Sequence, residues 1–90
     1  MSRTISDPRH KALREFLVAK RKQSGLRQVD VAAKLRRTQD YVSHVETGQK
    51  VVGAVELAEL AEAIGFDLAE ALRLMHRAAV ANGKPRRKRR

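Results

Sequence analysis

The sequence predicts an all-α fold of five short helices. Apolar residues recur at the three- and four-residue spacing of helices, and the alternating pattern typical of strands does not occur in the chain. With 42% apolar residues, 90 residues suffice for one small core. We expect an N-terminal arm at residues 1–8, a compact domain at 9–82 and a disordered tail at 83–90, where a proline interrupts a run of like charges.

The first helix is predicted to begin at Pro8, with Asp7 as its N-cap, because proline suits the first helical position. Leu13, Phe16 and Leu17 then recur at helical spacing, and the helix should end before Gly25.

Two shorter helices follow, one at residues 28–35 and one that starts after Thr38, a suitable N-cap. Gly48 should end the second of them. The positions expected to face inward are Val31, Ala32, Leu35, Val42 and Val45. Only a few residues link the two helices, which is the layout of a helix-turn-helix.

A fourth helix is predicted at residues 54–64 and a fifth, capped by Asp67, from residue 68 to about residue 81. The fourth has Leu57, Leu60, Ala61 and Ile64 on one face. The fifth helix has an apolar stripe that consists of Leu68, Leu72, Met75 and Ala79. This stripe either completes the core or forms a two-fold dimer seam. We expect Leu68 and Leu72 to pack inward, and the predicted dimer interface consists of Leu72, Met75 and Ala79.

The chain carries 20 basic and 10 acidic residues, a net charge of +10, and the charge is unevenly placed. Residues 9–50 contain 11 basic and 4 acidic side chains, whereas residues 51–82 contain 2 basic and 5 acidic ones. One half of the domain is therefore suited to a polyanion. RNA, an acidic protein or an anionic membrane would also fit this pattern, but only three aromatic residues are present, so a series of stacking platforms for single strands is absent.

Several classes of function are disfavoured. The chain has no cysteine, and its three histidines lack metal-ligand spacing, so we expect neither a metal nor another cofactor. A nucleophile–base set or phosphate-binding loop cannot be assembled, which argues against an enzyme. The sequence has no hydrophobic signal region and no apolar run of about 20 residues, so the expectation is a cytoplasmic protein without a membrane partner.

Residues 17–48, LVAKRKQSGLRQVDVAAKLRRTQDYVSHVETG, resemble the Cro/C1-type family, also called the XRE or lambda-repressor-like family. The matching positions are Leu17, Arg21, Gly25, Leu26, Gln28, Ala32, Leu35, Gln39, Val42, Val45, Glu46 and Gly48. The resemblance covers about residues 10–72 and implies a helix-turn-helix at about 28–47. Two departures lie at Arg36, where the family commonly has a small residue and φ is expected to be positive, and at Arg27, where it often has a Ser or Thr cap.

A helix in the major groove reads bases with side chains near its N-terminus. The outward positions of helix three, our candidates for reading bases, are Thr38, Gln39, Asp40, Ser43 and His44. Gln39 can form two hydrogen bonds with adenine. Asp40 can accept from a cytosine amino group or simply favour the helix dipole, and Ser43 can contact a base edge or a phosphate.

The candidate phosphate contacts surround that helix and are Arg27, Gln28, Arg36, Arg37, Thr47, Gln49 and Lys50. Each charged one can equally be a solvated surface residue. The resemblance implies that Gln28 also braces Gln39, and that Arg21 and Glu46 form a structural ion pair between helices one and three. The alternatives are a solvated glutamine and two unrelated surface charges.

The resemblance implies a sequence-specific regulator of transcription that binds double-stranded DNA, is associated with the nucleoid and acts as a homodimeric repressor at a pseudo-palindromic operator. An antitoxin with a toxin-binding face, a restriction–modification controller and a non-specific architectural DNA binder remain alternatives. The basic tail either contacts DNA phosphates or serves solubility or degradation.

Overall fold

The computed structural model describes residues 7–82, which form five α-helices in the predicted order. They are α1 (Pro8–Gln23), α2 (Gln28–Leu35), α3 (Gln39–Thr47), α4 (Ala54–Ile64) and α5 (Leu68–Asn82). The predicted all-α class is confirmed. Within this part of the chain, no helix is both long enough and apolar enough to cross a membrane. The predicted tail and most of the predicted arm lie outside the described residues.

The helices begin where side-chain acceptors satisfy their free N–H groups, and the three predicted caps are confirmed. Asp7 accepts from the backbone of Arg9 at 2.8 Å, and Thr38 accepts from that of Tyr41 at 3.2 Å. Asp67 does the same at the start of α5. Two helices use half of a capping box instead, in which a carboxylate three residues inside the helix accepts from the cap's own N–H: Asp30 from Arg27 and Glu56 from Gly53, both at 2.8 Å.

A residue in the left-handed conformation occupies the C-cap position of three helices. Gly48 and Gly65 have φ of 89° and 93°, as glycine permits, but α2 ends on Arg36 at φ 60° and ψ 41°. This confirms the positive φ expected at Arg36. A left-handed L-residue costs about 1–2 kcal/mol, so the turn between α2 and α3 is held by its surroundings rather than by the preference of Arg36.

The core lies where all five helices meet. Its buried residues are Leu13, Leu17, Val31, Ala32, Val42, Val45, Leu57, Leu60, Ile64 and Ala71. Every inward position predicted for α2 and α3 either belongs to this cluster or packs against it. The apolar stripes of α2 and α3 thereby fix which face of α3 is left towards solvent.

The prediction for the inward face of α5 is wrong. Leu68 and Leu72 are 36% and 53% exposed, whereas Ala71 is fully buried and Met75 packs against the core. Ala71 and Met75 lie one turn apart, so they share a face, and Leu72 lies about 100° around the helix from Ala71. The small Ala71 side chain suits a close approach of helices, and α5 packs mainly on α1.

His10 is a buried residue that the sequence patterns did not single out. It is 7% exposed, and its Nε2 accepts from the backbone N–H of Val52 at 3.4 Å, in the loop between α3 and α4. The proton of the neutral ring is therefore on Nδ1, which has no hydrogen-bond partner among the described residues. Burial lowers the pKa of His10, and the positive charge of Arg14 lowers it further, against the smaller opposing effect of Asp7.

Protonation of His10 should therefore destabilise the fold. Because the pKa is lower in the folded state than its ordinary value of 6.5, the unfolded chain binds the proton more readily, and stability falls as the pH drops below about 6.5. We expect urea unfolding at about pH 7.5 and about pH 5 to show this loss. His10→Gln, which can still accept from Val52, should reduce this loss of stability. The control His76→Gln, at an exposed position, should not reduce it. Equal pH dependence in the unsubstituted protein and both variants would contradict the assignment.

Candidate nucleic-acid interface

The α2–turn–α3 unit presents one face of α3 to solvent. Val42 and Val45 point into the core, so the opposite face is exposed at its N-terminal end. The exposed positions there are Thr38, Gln39, Asp40 and His44, with Ser43 partly buried beside them. All five candidate base-reading residues therefore lie on the face that a groove could receive.

A chain of hydrogen bonds links this face to α1. Arg21 binds both carboxylate oxygens of Glu46, at 2.6 and 3.1 Å, and donates a third hydrogen bond to the carbonyl of Leu26 at 2.9 Å. Glu46 Oε1 also accepts from Gln28 Nε2 at 2.8 Å, and Gln28 Oε1 accepts from Gln39 Nε2 at 3.3 Å. The structure thus brings Arg21 and Glu46, and likewise Gln28 and Gln39, into contact.

The carboxylate of Glu46 determines which way both amides face. An ionised carboxylate only accepts hydrogen bonds, so Gln28 must turn its NH₂ group towards Glu46 and its oxygen towards Gln39. That oxygen in turn requires the NH₂ group of Gln39. Gln39 is left with one N–H and its carbonyl oxygen unused, which are the two groups that adenine N7 and N6 require.

The candidate phosphate contacts differ in how they are held. Arg36, Arg37, Thr47 and Gln49 are exposed. Arg27 is exposed but pairs with Asp30 at 3.0 Å, and the Arg27 side chain lowers the pKa of Asp30 to about 2. Lys50 pairs with Glu56 at 3.2 Å. The structure places all seven candidates around the exposed face of α3 or at the ends of α2.

Tyr41 and Glu56 form a second polar cluster, and neither residue was among the predicted site residues. The Tyr41 hydroxyl donates to Glu56 Oε2 at 3.0 Å, and burial, followed by Glu56, raises the pKa of Tyr41 to about 12. The Gly53 N–H is the main reason why the pKa of Glu56 is lowered. A glutamate at the third position of a helix is a recognised capping signal, which could have drawn attention to Glu56, but the contact with Tyr41, 15 residues away, has no signal in the sequence.

The Arg14 guanidinium of α1 lies beside the C-terminal end of α3. A Cβ on Gly48 would lie 2.9 Å from the Arg14 guanidinium carbon and would displace that side chain, and the φ of 89° independently favours glycine here. A cation is favourable at this end of a helix dipole. Among the described residues no group of His, Asp and Glu could hold a metal ion.

Comparison with known families identifies the class. Residues 12–74 match the family described as the helix-turn-helix domain, which is most of the chain. The chain therefore belongs to the helix-turn-helix family of DNA-binding domains, which are regulators rather than enzymes. No curated protein matches the sequence.

Two solved structures are similar to this chain. An XRE-family-like protein from Pseudomonas syringae pv. tomato has a TM-score of 0.75 and 30% identity, over 82% of this chain and 90% of that one. The clp gene regulator ClgR from C. glutamicum has a TM-score of 0.70 and 28% identity, over 83% and 94%. The resemblance to XRE-type regulators of transcription is thereby confirmed.

Replacing Arg21 by Ala should destabilise the fold without removing a DNA contact. The Arg21 and Glu46 side chains are only 11% and 10% exposed, so the substitution leaves a nearly buried carboxylate without its cation. A buried acceptor left without its partner costs about 1–3 kcal/mol, and a charged one costs more. We expect a lower midpoint of thermal unfolding and an unchanged dependence of DNA affinity on salt. An unchanged midpoint with a weaker salt dependence would instead make Arg21 a phosphate contact.

Proposed function

We propose that the protein is a dimeric repressor that reads a pseudo-palindromic operator through the major groove. The observation that carries this proposal is the orientation of Gln39, which stands exposed at the start of α3 with its amide held by Gln28. An oriented amide pays less conformational entropy on binding and favours one hydrogen-bonding pattern over its reverse. Repression would follow if the bound protein occludes a promoter.

Base contacts and phosphate contacts would have separate roles. Thr38, Asp40, Ser43 and His44 flank Gln39 on the same exposed face, where they can meet neighbouring base edges. The basic residues at both ends of α3 would set the position of the helix on the backbone and add affinity without sequence preference. Gln28 can contribute to base contacts and to phosphate contacts. Its oxygen holds the amide of Gln39. One N–H of its own amide remains unused, and Gln28 begins α2, where the helix dipole favours a phosphate.

The face of α5 that includes Leu72 is the proposed dimer interface. Leu72 is 53% exposed and borders a groove of about 360 Å³ that is also lined by Met75 and by residues of the α3–α4 loop. Met75 packs partly against the core and Ala79 is half-buried, so Leu72 offers most of the free apolar surface among the three proposed interface residues. Two recognition helices must lie about 34 Å apart to enter successive major grooves, and the dimer interface would set that distance.

Gln39→Ala should weaken binding to the operator by about 1–3 kcal/mol, the usual contribution of a bidentate base contact. Binding to random DNA should remain nearly unchanged, because Gln39 is assigned no phosphate. Fluorescence titrations with both DNAs at one salt concentration test this, once the operator is known from mapping of bound sites. Equal losses on the two DNAs would show that Gln39 does not read a base.

Leu72→Asp should shift the protein towards the monomer and weaken binding to a two-half-site operator more than to an isolated half-site. Because Leu72 is exposed, the substitution should leave the fold intact, and the volume-conserving Leu72→Met serves as the matched control. Sedimentation velocity measures the oligomeric state. An unchanged oligomer in Leu72→Asp would remove this face of α5 from the interface.

A further inference from the structure

The ring of Tyr41 contacts two cations, one from a residue that precedes α3 in the sequence and one from a residue that follows it. Arg37 belongs to the turn before α3, and its guanidinium lies 4.5 Å from the ring centroid. Lys50 follows the C-terminal end of α3, and its ammonium lies 5.8 Å from the same centroid. Both distances fall within the range of cation–π attraction.

The ring itself is anchored to the rest of the fold. The Tyr41 hydroxyl donates to Glu56, and the same carboxylate accepts from the backbone of Gly53 at the start of α4 and pairs with Lys50. Glu56 is only 20% exposed in its side chain, so its position is set by packing as well as by hydrogen bonds. The cations are therefore held against a group that is tied to both α3 and α4.

We propose that Tyr41 is a positioning residue, which holds Arg37 and Lys50 ready to contact DNA phosphates beside the recognition helix. The inference rests on the proposed function, in which these two residues are phosphate contacts. Long basic side chains lose rotamer freedom when they bind, and a ring that restricts them beforehand reduces that cost. Tyr41 need not touch DNA for this effect.

The test is the slope of log affinity against log salt concentration, since each neutralised phosphate contributes about 0.9 to its magnitude. Tyr41→Leu should flatten the slope by about one to two units, because Arg37 and Lys50 both lose the ring, while Lys50 keeps its pair with Glu56. Tyr41→Phe keeps the ring but loses its hydrogen bond to Glu56, so it should flatten the slope less than Tyr41→Leu. A role of Tyr41 in stability alone would lower the midpoint of thermal unfolding and leave the slope unchanged.

Double-mutant cycles make the test specific. In a background that carries Arg37→Ala and Lys50→Ala, Tyr41→Leu should not change the slope further. In a background that carries Arg36→Ala, the matched control, it should flatten the slope by the full amount, because Arg36 is exposed and contacts no aromatic ring among the described residues. Equal flattening in the two backgrounds would overturn the inference.

The remaining outcomes separate the inference from the proposed function. If the unsubstituted protein fails to bind double-stranded DNA, the proposed function fails. If it binds normally and Tyr41→Leu leaves the slope unchanged, only the inference fails.

Should Tyr41→Leu not fold, proton NMR of the unsubstituted protein decides. The Arg37 side-chain protons should be shifted upfield by the ring relative to those of Arg36, and equal shifts would overturn the inference.

Discussion

The carboxylate of Glu46 is the group on which the geometry of the interface depends. It receives two hydrogen bonds from Arg21 and one from Gln28, and it lies at the C-terminal part of α3 beneath the exposed face. Because it can only accept, it orients Gln28 and, through Gln28, the amide of Gln39. The ion pair thus has two effects, since it joins α1 to α3 and determines which hydrogen-bonding groups Gln39 leaves free on the exposed face.

A second carboxylate has a similar effect on the basic side chains. Glu56 begins as a capping residue of α4, but its other oxygen accepts from Tyr41 and pairs with Lys50. The two networks are built on the same principle, in which a carboxylate of low exposure is surrounded by donors from several elements. One network acts on a candidate base contact and the other on candidate phosphate contacts.

The fold tolerates local strain where the geometry of the unit requires it. Arg36 adopts a left-handed conformation that glycine would adopt without cost, and it does so at the turn that sets the angle between α2 and α3. Its backbone N–H bonds to the carbonyls of Ala32 and Ala33, so the end of α2 is still satisfied. A positively charged residue at this turn also adds to the basic surface beside α3.

The sequence by itself determined the five helices, because their N-caps, terminal glycines and apolar spacing are local features. It also determined the exposed face of α3, since Val42 and Val45 leave only one side outward. Only the tertiary structure decided which contacts join residues far apart in the chain, such as Tyr41 with Glu56 and His10 with Val52. It also decided that Ala71 rather than Leu72 faces the core, because a helix with apolar residues on adjacent faces can be buried in either orientation, and the packing of α1 against α5 selects between them.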